Sequence, residues 1–166
     1  MFSWDVTANG RQAIRLEFTS VVEMVDLVQV VADHVCHACG FDDDASHWVG
    51  VAIRESVINA IRHGNRGDAT KHVFVDFDSA LRDGSPGLLI CVRDQGDGFD
   101  PESLADPLDP ENLLKSGGRG VFLIRNFMDE VHLQRVPEGG MEIRMLKRLN
   151  PPAPADEASP VPPSGS

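Results

Sequence analysis

The sequence RESVINAIRHGN, at residues 54–65 of this 166-residue chain, gives the strongest indication of the fold. The pattern predicts a helix on which Glu55 and Asn59 share one face and His63 lies one turn further on. The opposite face carries apolar residues suited to a core, namely Ile53, Val57 and Ile61. A carboxylate beside an amide offers a general base next to a ligand for a hard cation. Taken alone, the same pattern also suits a solvated polar face.

A second informative stretch, VRDQGDGFD at residues 92–100, follows a predicted strand. Asp94 stands at the strand end, where it can accept a hydrogen bond from a bound ligand. Gly96 and Gly98 permit unusual backbone angles and a close approach of that ligand to the chain. The alternative is a tight turn with solvated acids. A calcium loop is disfavoured because the alternating acidic ligands and the closing glutamate are missing.

A third stretch, SGGRG at residues 116–120, immediately precedes a predicted helix. Backbone N–H groups at a helix N-terminus form a cradle for phosphate, and the helix dipole favours the anion. Glycine-rich turns are common, so this stretch is weak evidence by itself. The Walker pattern GxxxxGK[ST] and the dinucleotide pattern GxGxxG are both missing from the sequence.

The periodicity of apolar residues predicts a mixed α and β domain around these stretches. The predicted elements are a strand at 11–18, helices at 20–39 and 43–63, a hairpin of 72–78 and 88–93, a loop at 94–118, a helix at 119–129, and a hairpin of 130–136 and 141–148. Ser20 with Glu23 suggests a capping box for the first helix, and Gly40 suggests its end. This order indicates an α+β class, a two-layer sandwich of a largely antiparallel sheet covered by helices on one face.

The composition favours one globular domain at residues 1–149, followed by a disordered, Pro-rich tail at 150–166. The net charge of −11 disfavours direct binding of nucleic acid. We expect no membrane association and a cytoplasmic location, because the sequence shows neither a long apolar run nor a signal peptide. The segment CHAC at residues 36–39 carries zinc-ligand types. Its cysteines suit the apolar face of a helix, and no second Cys-x-x-Cys is present.

Together the three stretches resemble the N, G1 and G2 boxes of the GHKL (Bergerat-fold) ATP-binding superfamily. The N box matches as Glu55-x-x-x-Asn59, the G1 box as Asp94-x-Gly96-x-Gly98, and the G2 box as Gly118-x-Gly120. Residues 121–131, VFLIRNFMDEV, are similar to the helix of stand-alone bacterial anti-sigma factor kinases, the RsbW/SpoIIAB-like group. The resemblance covers roughly residues 11–148.

The resemblance implies a role for each matching residue. Glu55 would be the general base, Asn59 would hold Mg²⁺, and Asp94 would accept a hydrogen bond from the adenine amino group of ATP. Gly96 and Gly98 would let the base pack closely. Gly118 and Gly120 would present N–H groups to the phosphates, and Gly117 is a further nucleotide-binding candidate.

Residues 100–117 would form the ATP lid. Lys115 and Arg119 are candidates for the cation beside the γ-phosphate. Ser116 lies near the place where family members carry a basic residue, so the choice between the two cations stays open. His63 is a further candidate for phosphate contact or helix capping, and a packed or solvated histidine is the alternative.

The implied function is a serine/threonine protein kinase that phosphorylates a serine of a STAS-domain anti-anti-sigma protein and sequesters a sigma factor or another output protein. A PP2C-type phosphatase would reset the switch, and the kinase would form a homodimer. The alternative is an ATP-gated protein-binding module without phosphotransfer. A histidine kinase domain and a fragment of a larger ATPase are disfavoured, because the sequence offers no phospho-acceptor helix pair and no transducer region.

Overall fold

The computed structural model describes residues 3–6, 12–98 and 118–149. The predicted lid at 100–117 and the predicted tail at 150–166 lie outside these residues. The described strands are β1 (Ser3–Val6), β2 (Gln12–Thr19), β3 (His72–Arg82), β4 (Ser85–Arg93), β5 (Glu130–Arg135) and β6 (Met141–Arg148). The described helices are α1 (Met24–Cys39), α2 (Asp43–Asn59) and α3 (Gly118–Phe127), and a π-helical turn at Ala60–Gly64 continues α2.

The six strands form one sheet in the order β1-β2-β3-β4-β6-β5, and every neighbouring pair is antiparallel. Alternate side chains of four strands are buried on the face that meets the helices, among them Leu16 of β2, Val75 of β3, Ile90 of β4 and Met145 of β6. The other face carries cross-strand ion pairs such as Arg15 with Asp76, 2.7 Å apart. The predicted α+β sandwich is therefore confirmed, and β1 is added to it.

The ends of the first helix show one wrong prediction and one confirmed one. The helix begins at Met24, and Glu23 before it makes no side-chain capping bond, so the capping box of Ser20 does not form. Ser20 is instead held beside β3, because its N–H donates to the carbonyl of Lys71 at 3.0 Å. The helix ends at Gly40, as predicted, with a left-handed φ of 91° that glycine adopts without strain.

The hairpin between β3 and β4 is tighter than the sequence suggested. Its two turn residues, Asp83 and Gly84, have φ values of 51° and 77°, which are typical of the two-residue turns that join twisted strands. Arg82 and Ser85 are consequently paired, and both strands extend into residues 79–87, which lie between the two predicted strands.

The predicted second helix divides into α2 and the π-helical turn, whose wider closure joins the N–H of Asn65 to the carbonyl of Ala60 at 2.8 Å. Asn65 follows this turn and is 1% exposed. Its Nδ2 donates to the carbonyl of His72 at 2.9 Å and to Oγ of Ser20 at 3.3 Å. Its Oδ1 accepts the N–H of Gln95 at 2.8 Å. One amide thus joins the end of the helix to three separate segments of the sheet.

None of the helices within the described residues is both long enough and apolar enough to cross a membrane.

Replacing Asn65 with alanine leaves the carbonyl of His72 and the N–H of Gln95 without their partner. We expect Asn65→Ala to lower the free energy of unfolding by about 1–3 kcal/mol, measured by urea denaturation. Asn126→Ala is the matched control, because this asparagine is exposed on α3, and its effect should stay below about 0.5 kcal/mol. Equal stability of the two variants would contradict the role assigned to Asn65.

Candidate functional site

The helix α2 has the two faces that its sequence predicts. Ile53 and Val57 are fully buried. Glu55 and Asn59 are half-buried and face the start of α3. A Cβ atom at Gly120 would lie 2.9 Å from Nδ2 of Asn59 and 3.2 Å from Oε2 of Glu55. The structure therefore brings the first and third informative stretches into contact, and the backbone of α3 can approach α2 only because a glycine stands at this position.

Asp94 lies directly after β4 and is 5% exposed. Its Oδ1 accepts the backbone N–H of Gly96 at 2.9 Å and that of Met141 at 3.2 Å. Burial raises the pKa of the Asp94 carboxyl, and these two donors and the charge of Lys71 oppose the rise only in part. The sequence thus places a carboxylate in a desolvated position, where an added hydrogen-bond donor would interact strongly with it.

Glycines allow three chain segments to meet around this carboxylate. A Cβ atom at Gly64 would overlap the carboxyl group of Asp94, one at Gly96 would overlap the carbonyl of Gly64, and one at Gly140 would overlap the carbonyl of Asp94. Gly98 is also crowded, with the guanidinium Nε of Arg135 3.2 Å from its Cβ position. Its φ of 72° adds a backbone reason for glycine.

A cavity of about 110 Å³ lies between α2, the end of β4, α3 and the β5–β6 hairpin. Its wall is mostly apolar and includes Val92, Val121, Leu133, Met141 and Ile143. Asn59, His63 and Asp94 supply polar groups to the lining. An apolar slot with one buried carboxylate fits a flat ring that carries a hydrogen-bond donor on its edge.

The remaining predicted site residues are those of the glycine-rich stretch around the start of α3, and His63 in the π-helical turn. Gly118 and Arg119 are the first two residues of α3, so the glycine-rich stretch does open a helix. Lys115 and Gly117 lie outside the described residues. His63 is exposed and belongs to the lining of the cavity.

Several residues of the site have no distinct signal in the sequence. Ser56 is buried in the cavity lining, and its hydroxyl donates to the carbonyl of Ala52 at 2.8 Å, as helical serines commonly do. Met141 and Ile143 alternate along β6 as core residues do. Gly140 reads as an ordinary turn residue. Their approach to Asp94 depends on the pairing of β6 with β4, which a single sequence does not specify.

The chain is similar in sequence to a known family and to proteins within it. Residues 18–147 match the family described as the histidine kinase-like ATPase domain. The serine-protein kinase RsbW of Bacillus licheniformis is 30% identical over 143 residues, which cover 82% of this chain and 86% of the relative. The protein of the same name from Staphylococcus epidermidis is 29% identical over 146 residues, with the same coverage.

A solved structure shares the fold. The crystal structure of the RsbU and RsbW domains of a Mycobacterium tuberculosis protein matches with a TM-score of 0.58 and 19% identity. The match covers 85% of this chain and 33% of that one. From the family match and the sequence identity to its relatives, the chain belongs to the histidine kinase-like ATPase family, in the group of serine-protein kinases related to RsbW.

Proposed function

We propose that this ATP-dependent serine kinase transfers the γ-phosphoryl group of ATP to a serine of a STAS-domain antagonist and binds a sigma factor or another output protein. The observation that carries the proposal is the contact of Glu55 and Asn59 with the first turn of α3, beside a cavity that contains the carboxylate of Asp94. In this proposal the arrangement would supply a base, a cation ligand, an anion-binding helix end and a slot for a ring within one site.

The cavity suits adenine in its chemistry. The apolar wall covers the faces of a flat ring, and the glycines leave space that side chains would otherwise fill. Oδ1 of Asp94 already accepts two backbone N–H groups. Oδ2 would accept the 6-amino group of adenine, and a guanine would present a carbonyl oxygen to the same carboxylate. The site should therefore select ATP over GTP.

The phosphates would lie between α2 and the N-terminus of α3. The N–H groups of Gly117, Gly118 and Gly120 would donate to them at the positive end of the helix dipole. Oδ1 of Asn59 would hold Mg²⁺, which commonly takes one or two protein ligands and completes its shell with water and phosphate oxygens. The bound ion would neutralise charge on the phosphates. Lys115 and Arg119 are our candidates for the cation beside the γ-phosphate.

Glu55 would accept the proton of the incoming serine hydroxyl. The serine oxygen then bonds to the γ-phosphorus, the bond from that phosphorus to the bridging oxygen breaks, and ADP leaves with the electron pair. Glu55 lies against the first turn of α3, which supports the proposal of a base close to the phosphate-binding N–H groups. His63, which is exposed and lines the cavity, is our candidate for an outer phosphate contact.

The regulatory part of the proposal follows from relationship to the RsbW kinases. Phosphorylation of the antagonist would release it and leave the kinase free to hold the sigma factor. A PP2C-type phosphatase would reverse the modification. We further propose that the kinase works in the cytoplasm as a homodimer. The net charge of −11 favours protein partners over nucleic acid.

Glu55→Gln retains the size of the side chain and removes its basicity. We expect phosphotransfer to a STAS-domain protein from the same genome to fall by at least about a hundredfold, with ATP affinity nearly unchanged. Incorporation of label from radioactive ATP measures transfer, and calorimetry measures binding. Glu138→Gln, at an exposed position in the β5–β6 turn, is the control.

Transfer at the full rate in Glu55→Gln would refute its assignment as base. Absence of transfer by the unaltered protein to every STAS-domain protein tested, despite ATP binding, would instead favour the ATP-gated binding module.

Asp94→Asn keeps an oxygen for the N–H groups of Gly96 and Met141 and places an amide donor where adenine also offers a donor. We expect ATP affinity to fall about tenfold or more. Asp97→Asn, an exposed substitution in the same loop, should bind ATP normally.

The fold should tolerate Asp94→Asn. Burial raises the pKa of Asp94 in the folded protein, so folding favours the protonated carboxyl. The stability that this group contributes to the folded state is therefore fully present below the ordinary aspartate pKa and is lost as the pH rises through the folded pKa. The melting temperature of Asp94→Asn at pH 7 should therefore equal or exceed that of the unaltered protein.

Unchanged ATP affinity in Asp94→Asn would contradict the proposed contact between Asp94 and adenine.

A further inference from the structure

Trp48 is a large aromatic residue that the proposed chemistry does not use. It lies near the start of α2 and is 37% exposed, so it is not part of the central core. Its ring stacks on that of Phe127, the last residue of α3, with 4.1 Å between ring centroids and an angle of 14° between the ring planes. The ring of the neighbouring His47 also packs edge-to-face with Trp48, with 4.9 Å between ring centroids and 70° between the ring planes. The stack thus joins the C-terminal end of α3 to α2.

The same end of α3 is held at two other places. The carbonyl of Phe127 accepts a hydrogen bond from Nζ of Lys147 at 3.0 Å. Ile124 and Met128 are buried in the core. The ring of Phe127 connects this end of the helix directly to α2, the helix that carries Glu55. The lysine belongs to β6 and attaches this end of α3 to the sheet.

The two contacts between α2 and α3 are separated by the same number of residues on each helix. Trp48 precedes Glu55 by seven residues on α2, and Gly120 precedes Phe127 by seven residues on α3. Seven residues span about 10 Å, or two turns, on either helix. The helices run in opposite directions along this contact, because Trp48 meets Phe127 while Glu55 meets Gly120. A shift of the ring stack along α2 would therefore shift Gly120 by a similar distance relative to Glu55.

We propose that Trp48 is a positioning residue for nucleotide binding. Its stack on Phe127 sets the register of α3 along α2, and this register places the N–H groups at the start of α3 against Glu55 and Asn59. The proposal rests on the nucleotide site described above and adds the residue that aligns it from two helical turns away.

The direct test compares Trp48→Ala with Trp48→Phe. Loss of the ring should raise the dissociation constant of Mg·ATP about fivefold, whereas phenylalanine preserves a stacking partner and should stay within about twofold. Phe127→Leu removes the ring from the other side of the stack, retains apolar bulk, and should repeat the effect of Trp48→Ala. This second variant also keeps the proposal testable if Trp48→Ala does not fold.

Phe74→Ala is the control for general destabilisation. Phe74 is half-buried on the opposite face of the sheet, beneath the guanidinium of Arg93, 4.4 Å from the ring centre. Its loss should lower the melting temperature and leave ATP affinity unchanged. If Trp48 is a positioning residue, the Trp48 and Phe127 variants should bind ATP more weakly than Phe74→Ala, even where the melting temperatures of the variants are equal.

Amide hydrogen exchange without nucleotide gives a readout that does not depend on ATP. Faster exchange of the α3 amides in Trp48→Ala and Phe127→Leu, with normal exchange in Phe74→Ala, would support the stack as the restraint on α3. Normal α3 exchange and normal ATP affinity in both folded variants would overturn the proposal, as would an equal loss of affinity in Phe74→Ala. Failure of the unaltered protein to bind ATP would refute the proposed nucleotide site instead, and the exchange data would still decide whether Trp48 restrains α3.

Discussion

The desolvated carboxylate of Asp94 is the constraint on which the arrangement of the site depends. It can be buried only because two backbone N–H groups donate to it and because Gly64, Gly96 and Gly140 allow their segments to approach closely. Those segments come from the end of the long helix, the loop after β4 and the β5–β6 hairpin. Their meeting leaves one buried carboxylate on the wall of a mostly apolar cavity, where we propose that it recognises a hydrogen-bond donor of the ligand.

The proposed phosphate-binding end of the site depends on contact between two helices. The buried face of α2 holds it on the sheet, so its polar face is presented in a fixed orientation. Gly120 then lets α3 lie against Glu55 and Asn59. The π-helical turn and the buried amide of Asn65 connect this helix to the strands that position Asp94. The proposed adenine-binding and phosphate-binding ends are thereby parts of one packed unit, and the relationship to the RsbW kinases gives that unit a proposed regulatory use.

Local patterns were sufficient to predict the order of the central elements, the two faces of α2 and the glycine end of α1. The short strand β1 was missed, since four residues carry little periodicity. Ser20 fits a capping box locally, but its segment is paired with β3, and tertiary hydrogen bonds prevailed over local propensity. Gly140 and the stack of Trp48 on Phe127 join segments far apart in the sequence. Their partners are set by strand pairing and helix packing, for which a single sequence has no local signal.

The most direct test of the proposed site is a calorimetric titration of the unaltered protein with Mg·ATP and, separately, with Mg·GTP. The two nucleotides share their phosphates and differ in the groups that would face Asp94, so the comparison isolates the buried carboxylate. A site built to accept a hydrogen bond from adenine predicts that ATP binds at least about a hundredfold more tightly than GTP. Equal affinities, or no binding of either nucleotide, would contradict the central role assigned to Asp94.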